Sequence, residues 1–268
     1  MASSADDPHG LPTRRLPIGW TTDLAVLAHM GSTVEDRGDH LVVRTPRNPD
    51  FHWGNCIFVT DSQAVDDADR WVRTFRSAVP DADWIAIGLA QMPANPQAWA
   101  TCGLELELDD VLATAVLPKQ TTPPVGYDVH ALVGADWEQV ITRAVSEGTH
   151  ERFATARANA QRDLVDHDVA QFVGAFFESR LVAELGIVDC GGTARYQNVG
   201  TALEHRGRGI ASHLLGVAAS WAASRGCTEW VIVTEAVNPA GRVYRRAGFE
   251  VVAPSVQAYR APADLMLR

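Results

Sequence analysis

The chain has 268 residues, 46% of them hydrophobic and 21% charged, the composition of a folded protein long enough for two α/β domains. No apolar run approaches the ~20 residues of a membrane span, and the start Met1-Ala2-Ser3-Ser4-Ala5-Asp6-Asp7-Pro8 lacks the apolar stretch of a secretory signal, so a cytoplasmic protein without membrane association is expected. The net charge of -10 is concentrated in residues 1–125, with 9 basic and 17 acidic side chains, which repels nucleic acid but not a cationic amine.

Residues 1–20, with Pro8, Gly10, Pro12 and Pro17, read as a flexible tail. Thr21 to Met30 reads as a short helix. Strands are expected at Leu41 to Arg44 and Cys56 to Val59, separated by the aromatic loop Phe51-His52-Trp53-Gly54. Trp53 there suits a pocket wall or a core position equally well. Asp67 to Val79 reads as a helix, with Trp71, Phe75 and Val79 at helical spacing. The strand Trp84 to Ile87, a helical or loop segment around Asn95 to Cys102 and the alternating strand Gly103 to Leu108 complete the first half. Thr121-Thr122-Pro123-Pro124 is the strongest linker signal, dividing a first domain, 21–122, from a second, 126–268.

The second half reads as a strand at Tyr127 to Leu132 and two helices, Asp136 to Glu147 and His150 to Val165. Trp137, Val140, Ile141 and Val145 are expected to face inward on the first helix. Three strands follow at Val169 to Phe176, Arg180 to Val188 and Ala194 to Ala202, with Gly191-Gly192 suited to a hairpin turn of positive φ. Next come a helix from Ile210 to Arg225, a strand from Trp230 to Thr234, a helix from Pro239 to Ala247 and a strand from Phe249 to Val252.

The four cysteines, Cys56, Cys102, Cys190 and Cys227, are far apart and form no cluster with histidines. Free thiols and no metal are therefore expected.

The fourth strand of the second half, Ala194 to Ala202, runs through Arg206-Gly207-Arg208-Gly209 directly into a long helix. Glycines let the backbone approach an anion, and the helix N-terminus adds unpaired N–H donors with a favourable dipole. Alone, such a loop is equally a tight turn before a helix. It lacks the Gly-Lys-Ser/Thr of a P-loop, and it follows a meander rather than the first strand of a parallel dinucleotide fold.

Arg206-Gly207-Arg208-Gly209-Ile210-Ala211 resembles the Arg/Gln-x-x-Gly-x-Gly/Ala signature of the GNAT superfamily of acyltransferases. Downstream, Asn238-Pro239-Ala240-Gly241-Arg242-Val243-Tyr244-Arg245-Arg246-Ala247-Gly248-Phe249 resembles that superfamily's Asn…Ala…Tyr-x-x-x-Gly-Phe ending. The resemblance spans roughly 126–262. It implies an α/β (α+β) fold: a mixed, mostly antiparallel sheet flanked by helices. It also implies an acetyl-CoA-dependent N-acetyltransferase that moves an acetyl group to an amine acceptor by direct attack in a ternary complex.

By that resemblance, acetyl-CoA lies between the strand ending at Ala202 and the strand beginning at Trp230. Val199, Gly200 and Thr201 would contact the pantetheine and acyl carbonyl. Arg206, Gly207, Arg208, Gly209, Ile210 and Ala211 would hold the pyrophosphate, and Asn238 the CoA arm. Tyr244 stands where the family often has its general acid; a tyrosine in an amphipathic helix is alternatively a core residue. Glu184 and Glu235 are the candidate general bases, each also readable as a surface acid, and Gln197 and Asn198 are candidates to orient the acceptor. The candidate acceptors are a small metabolite, an amino sugar antibiotic and a protein N-terminus, and the candidate assembly is a homodimer.

The first half shares a faint pattern with the second. Trp84-Ile85-Ala86-Ile87 parallels Trp230-Val231-Ile232-Val233, and Asn95-Pro96 parallels Asn238-Pro239. No counterpart of Arg206 to Ala211 precedes Asp67. The first half is accordingly expected to be a smaller, degenerate GNAT-like domain without CoA binding, leaving one active site per chain; coincidence between two ordinary α/β segments is the other explanation. A non-catalytic acyl-CoA-binding sensor, and more remotely a scaffold that binds no CoA, are the competing functional readings.

Overall fold

The computed structural model describes residues 15–262. The tail expected over residues 1–20 lies outside the described residues as far as residue 14, and the first helix already begins at Ile18. The chain forms two compact units. One comprises the chain up to Asp110 together with Ala253 onward, the other Val111–Val252.

The first unit contains α1 (Ile18–His29), β1 (Thr33–Asp36), β2 (His40–Arg44), β3 (Cys56–Val59), α2 (Ala68–Ala78), β4 (Ile85–Leu89), α3 (Pro96–Thr101) and the start of β5 (Glu105–Thr114). β1, β2 and β3 pair antiparallel in turn, and β3 pairs parallel with β4. Trp71 and Phe75, one turn apart on α2, are both buried with 0% exposure and anchor the helix on this sheet. Four-residue β1 buries only Val34, so its sequence carries almost no strand signal.

The second unit holds β6 (Asp128–Ala131), α4 (Asp136–Ser146), α5 (Glu151–Asp166), β7 (Ala170–Phe177), β8 (Arg180–Asp189), β9 (Thr193–Thr201), α6 (Ile210–Ser224), β10 (Glu229–Glu235) and α7 (Ala240–Arg246). Strands β6 to β9 pair antiparallel in sequence, and β9 pairs parallel with β10. Each unit is thus a mixed, mostly antiparallel sheet flanked by helices, with the same order of a three-strand meander, a helix and a parallel strand.

Three details depart from the expected arrangement. The inward positions of α4 are Trp137, Val140 and Ala144, while Val145 is exposed; the helix faces its core along a three-then-four spacing that Val145 misses. Residues 119–121 pack on α6 rather than running free. Thr121 O bonds His213 Nδ1 at 2.7 Å, and a Cβ at Gly216 would lie 2.4 Å from Gln120 Cα. Finally, the last strand does not stop at Val252. β11 (Glu250–Arg260) continues into the first unit, where Val256 to Arg260 pair antiparallel with Leu89 to Ile85. Pro254 obscures that strand in the sequence, but Val256 and Ala258 alternate inward beyond it.

Candidate functional site

The loop between β9 and α6 is a set of donors without acceptors. Gly207 and Gly209 take φ of 74° and 81°, the left-handed region in which a side chain is strained. A Cβ at either would meet nothing within 4 Å, so the loop stands open. His213 N–H bonds Gly209 O at 3.1 Å, the first closed turn of α6. The six amides before it, Gly207 through Ser212, find no acceptor among the described residues. Arg206 and Arg208 are exposed at the rim, and each is braced to the backbone. Arg206 Nε donates to Thr201 O at 2.9 Å, and an Arg208 terminal nitrogen to Glu204 O at 3.1 Å. Amides converging at a helix N-terminus with arginines beside them fit a pyrophosphate.

Beside this loop the sheet opens. The parallel ladder joins Thr193, Ala194 and Arg195 to Glu229, Trp230 and Val231, and no pairing continues it. From Tyr196 and Ile232 onward the two strands offer unpaired edges. The cause is visible on β9. Glu184 of β8 faces Gly200 while Gly186 faces Gln197, a bulge of one extra residue. Asn198 takes the left-handed φ of 50° within it. A strand bent at this point carries Val199, Gly200 and Thr201 away from β10, leaving half-buried backbone along the split.

A family model agrees with that geometry: residues 134–249 match the Acetyltransferase (GNAT) family. Residues 134–249 are a GNAT acetyltransferase domain. The family transfers acyl groups from acyl-CoA. No curated protein matches the sequence.

Solved structures share the fold well beyond the GNAT domain. A GCN5-related N-acetyltransferase from Kribbella flavida aligns over 94% of this chain and 99% of its own, with 17% identity and a TM-score of 0.65. A functionally unknown conserved protein from Staphylococcus epidermidis ATCC 12228 aligns over 84% and 92%, with 12% identity and a TM-score of 0.66. A tandem GNAT protein from the clavulanic acid biosynthesis pathway aligns over 88% and 87%, with 13% identity and a TM-score of 0.56. At these identities the likeness is one of fold.

The remaining residues singled out in the sequence fall into two groups within the GNAT domain. Glu184 is not a surface acid: it is 1% exposed. Its Oε1 accepts from Asn198 Nδ2 and lies 3.1 Å from an Arg143 terminal nitrogen, whereas Oε2 has no hydrogen-bond partner among the described residues. Burial pushes its pKa up, against the pull of Arg143 and Arg157. Glu235, in contrast, is exposed at the end of β10. Tyr244 is 4% exposed on α7, its hydroxyl makes no hydrogen bond among the described residues, and burial raises its pKa to about 12. Asn238 spends its Oδ1 on Ala240 N–H, at 2.9 Å, at the start of α7.

Of the side chains considered for orienting the acceptor, Asn198 is engaged by Glu184, while Gln197 stays half-buried. Arg143 of α4 joins these residues. It lies on the inner half of an amphipathic helix, with a side chain 11% exposed. A buried arginine in α4 facing a glutamate on β8 is a signal visible only once the strands are in register.

Proposed function

We propose that the chain is an acetyl-CoA-dependent N-acetyltransferase that acetylates an amine by direct attack within a ternary complex. The observation that carries this reading is the row of six acceptor-less amides, Gly207 to Ser212, beside a parallel strand pair that separates after Arg195 and Val231. The amides and the arginines Arg206 and Arg208 take the pyrophosphate. The pantetheine follows the free edge of β9, and the backbone at Val199, Gly200 and Thr201 orients the acyl carbonyl. Bound acetyl-CoA supplies a thioester carbonyl open to nucleophilic attack.

Glu184 is favoured over Glu235 as the general base. Its Oε2 is buried beside the bulge with an open lone pair, and a carboxylate with a raised pKa is better matched to accepting an ammonium proton. As the amine nitrogen bonds to the carbonyl carbon, its proton passes to Glu184 directly or through one water. When the carbon–sulfur bond breaks, the electron pair leaves on sulfur, and Tyr244 donates the proton that makes the thiol. With a pKa near 12, Tyr244 holds that proton throughout the physiological range. The free cysteines Cys56, Cys102, Cys190 and Cys227 suit a reducing cytoplasm.

The test is calorimetric titration with acetyl-CoA, followed by free-thiol release across a panel of primary amines. Absence of acetyl-CoA binding sinks the proposal. Saturable binding with no thiol release for any amine would assign the chain to the non-catalytic sensors instead.

A further inference from the structure

The cradle and the split account for CoA, but they leave a buried ion pair unexplained. Arg143 reaches from α4 to the bulge of β9. Its guanidinium lies against Gly200, where a Cβ would stand 2.9 Å from a terminal nitrogen. One terminal nitrogen lies 3.1 Å from Glu184 Oε1, and the other donates to Glu147 Oε1 at 2.7 Å. The same Glu184 oxygen accepts from Asn198, the residue whose left-handed φ makes the bulge. Three elements, α4, β8 and β9, therefore meet on one carboxylate oxygen.

We propose that Arg143 is a positioning residue for acyl transfer: with Asn198 it ties Glu184 Oε1 to the β9 bulge, fixing the backbone that meets the acyl carbonyl and leaving Oε2 to the acceptor amine. This rests on the reading of the second unit as an acyl-CoA transferase.

A buried carboxylate with neither cation nor donors is expelled or protonated; Arg143 and Asn198 hold Glu184 in place. A left-handed asparagine in mid-strand persists only where its surroundings determine it, and the hydrogen bond to Glu184 supplies that determination. Finally, the guanidinium fills the space above Gly200, so the bulge cannot relax by a side chain entering there. The charged groups acting on Glu184 are Arg143 and Glu147 of α4 and Arg157 of α5. Of these, Arg143 alone both touches Glu184 and abuts Gly200.

The test compares Arg143→Gln, Arg143→Lys and the charge-neutral pair Arg143→Gln with Glu184→Gln. Acetyl-CoA affinity, steady-state kinetics against pH and amide hydrogen exchange over residues 196–201 are measured for each. Arg143→Gln is expected to lower kcat by about tenfold or more, with acetyl-CoA affinity within about threefold of wild type. It should also move the acid limb of kcat/KM to higher pH, since a cation facing Glu184 is lost, and speed exchange at residues 198–201. Arg143→Lys restores the position of the acid limb in part.

The double variant, which buries no unpaired charge, shows whether a loss reflects unfolding. It should regain thermal stability while exchange at 198–201 stays fast. Unchanged exchange there, in a folded Arg143→Gln or in the double variant, overturns the proposal whatever the acceptor proves to be. So does an unchanged pH profile. Failure of wild-type protein to bind acetyl-CoA would instead strike the functional reading, and the exchange result would still decide whether Arg143 holds the bulge.

Discussion

Two helices in this chain each follow the third strand of an antiparallel meander, α2 after β3 and α6 after β9, and their N-termini differ in one chemical respect. At α6 the amides from Gly207 to Ser212 find no acceptor among the described residues. At α2 the chain supplies its own anion: Asp67 accepts from Arg70 N–H at 3.0 Å. Nearby, Asp61 accepts from Gln63 N–H in the turn before α2, and Asp66 from Asn95 N–H at the start of α3, both at 2.9 Å. The indoles of Trp71 and Trp99 donate to Ala64 O and Val65 O, closing the same loop from beneath.

The strand pairs differ to match. β3 and β4 stay in register from Ile57 and Ile87 to Val59 and Leu89, and Ala90 N–H then bonds Val59 O. β9 and β10 also pair over three residues, but β9 runs on for six more, to Thr201, with no partner in β10. Of two like arrangements of meander, helix and strand, one therefore closes its helix N-terminus with its own acid, and the other leaves backbone donors open beside a strand that runs on alone.

That contrast can be broken most severely at Gly209. Gly209→Asp places a carboxylate in the α6 cradle, making it chemically like α2, and should weaken acetyl-CoA binding at least about a hundredfold, roughly 3 kcal/mol by calorimetry. Unchanged affinity would reduce the loop to a turn. Wild-type protein should bind one acetyl-CoA per chain in the same experiment, and a second site would erase the difference between the units.

Glu184→Gln keeps the shape of the bulge while removing the base. We expect turnover to fall by roughly 10² or more. The wild-type acid limb should lie above 4.5, the ordinary glutamate value. Activity needs the ionised carboxylate, so it declines as pH falls through the raised pKa; the variant should lack this limb. Stability runs the other way. A folded pKa raised above the unfolded one stabilises most below the unfolded value, so wild type should lose stability relative to Glu184→Gln as pH rises through the folded pKa.

Tyr244→Phe should lower kcat by about tenfold with little change in acetyl-CoA affinity; an unaltered rate would return Tyr244 to a packing role. The mildest test lies in the other unit. Asp67→Ala removes a cap from α2 and should cost about 1 kcal/mol in thermal or denaturant unfolding. Acetyl-CoA affinity should not move.

Much of this was legible in the chain itself. Paired glycines before an apolar helix mark an open helix N-terminus because few other residues tolerate a φ near 80°, and the Asn238–Phe249 segment adds the second motif of the GNAT resemblance. Alternation and helical spacing placed α2, α6 and most strands within a few residues. Strand β1 escaped because one buried valine gives no period to detect. Val145 was misplaced because α4 has one more apolar position than its inner face holds. The continuation of β11 escaped because local pattern does not say which sheet a strand will join.

Which donors line the α6 N-terminus is legible in the chain alone, because the backbone conformation that Gly207 and Gly209 allow is a local property. Only the tertiary structure decided the rest of the site. The parting of β9 from β10 depends on a bulge defined by register against β8. The standing of Glu184, buried and shared between Arg143 and Asn198 rather than solvated, depends on three elements far apart in the chain meeting at one oxygen. Burial and register are collective quantities, and no window of residues contains them.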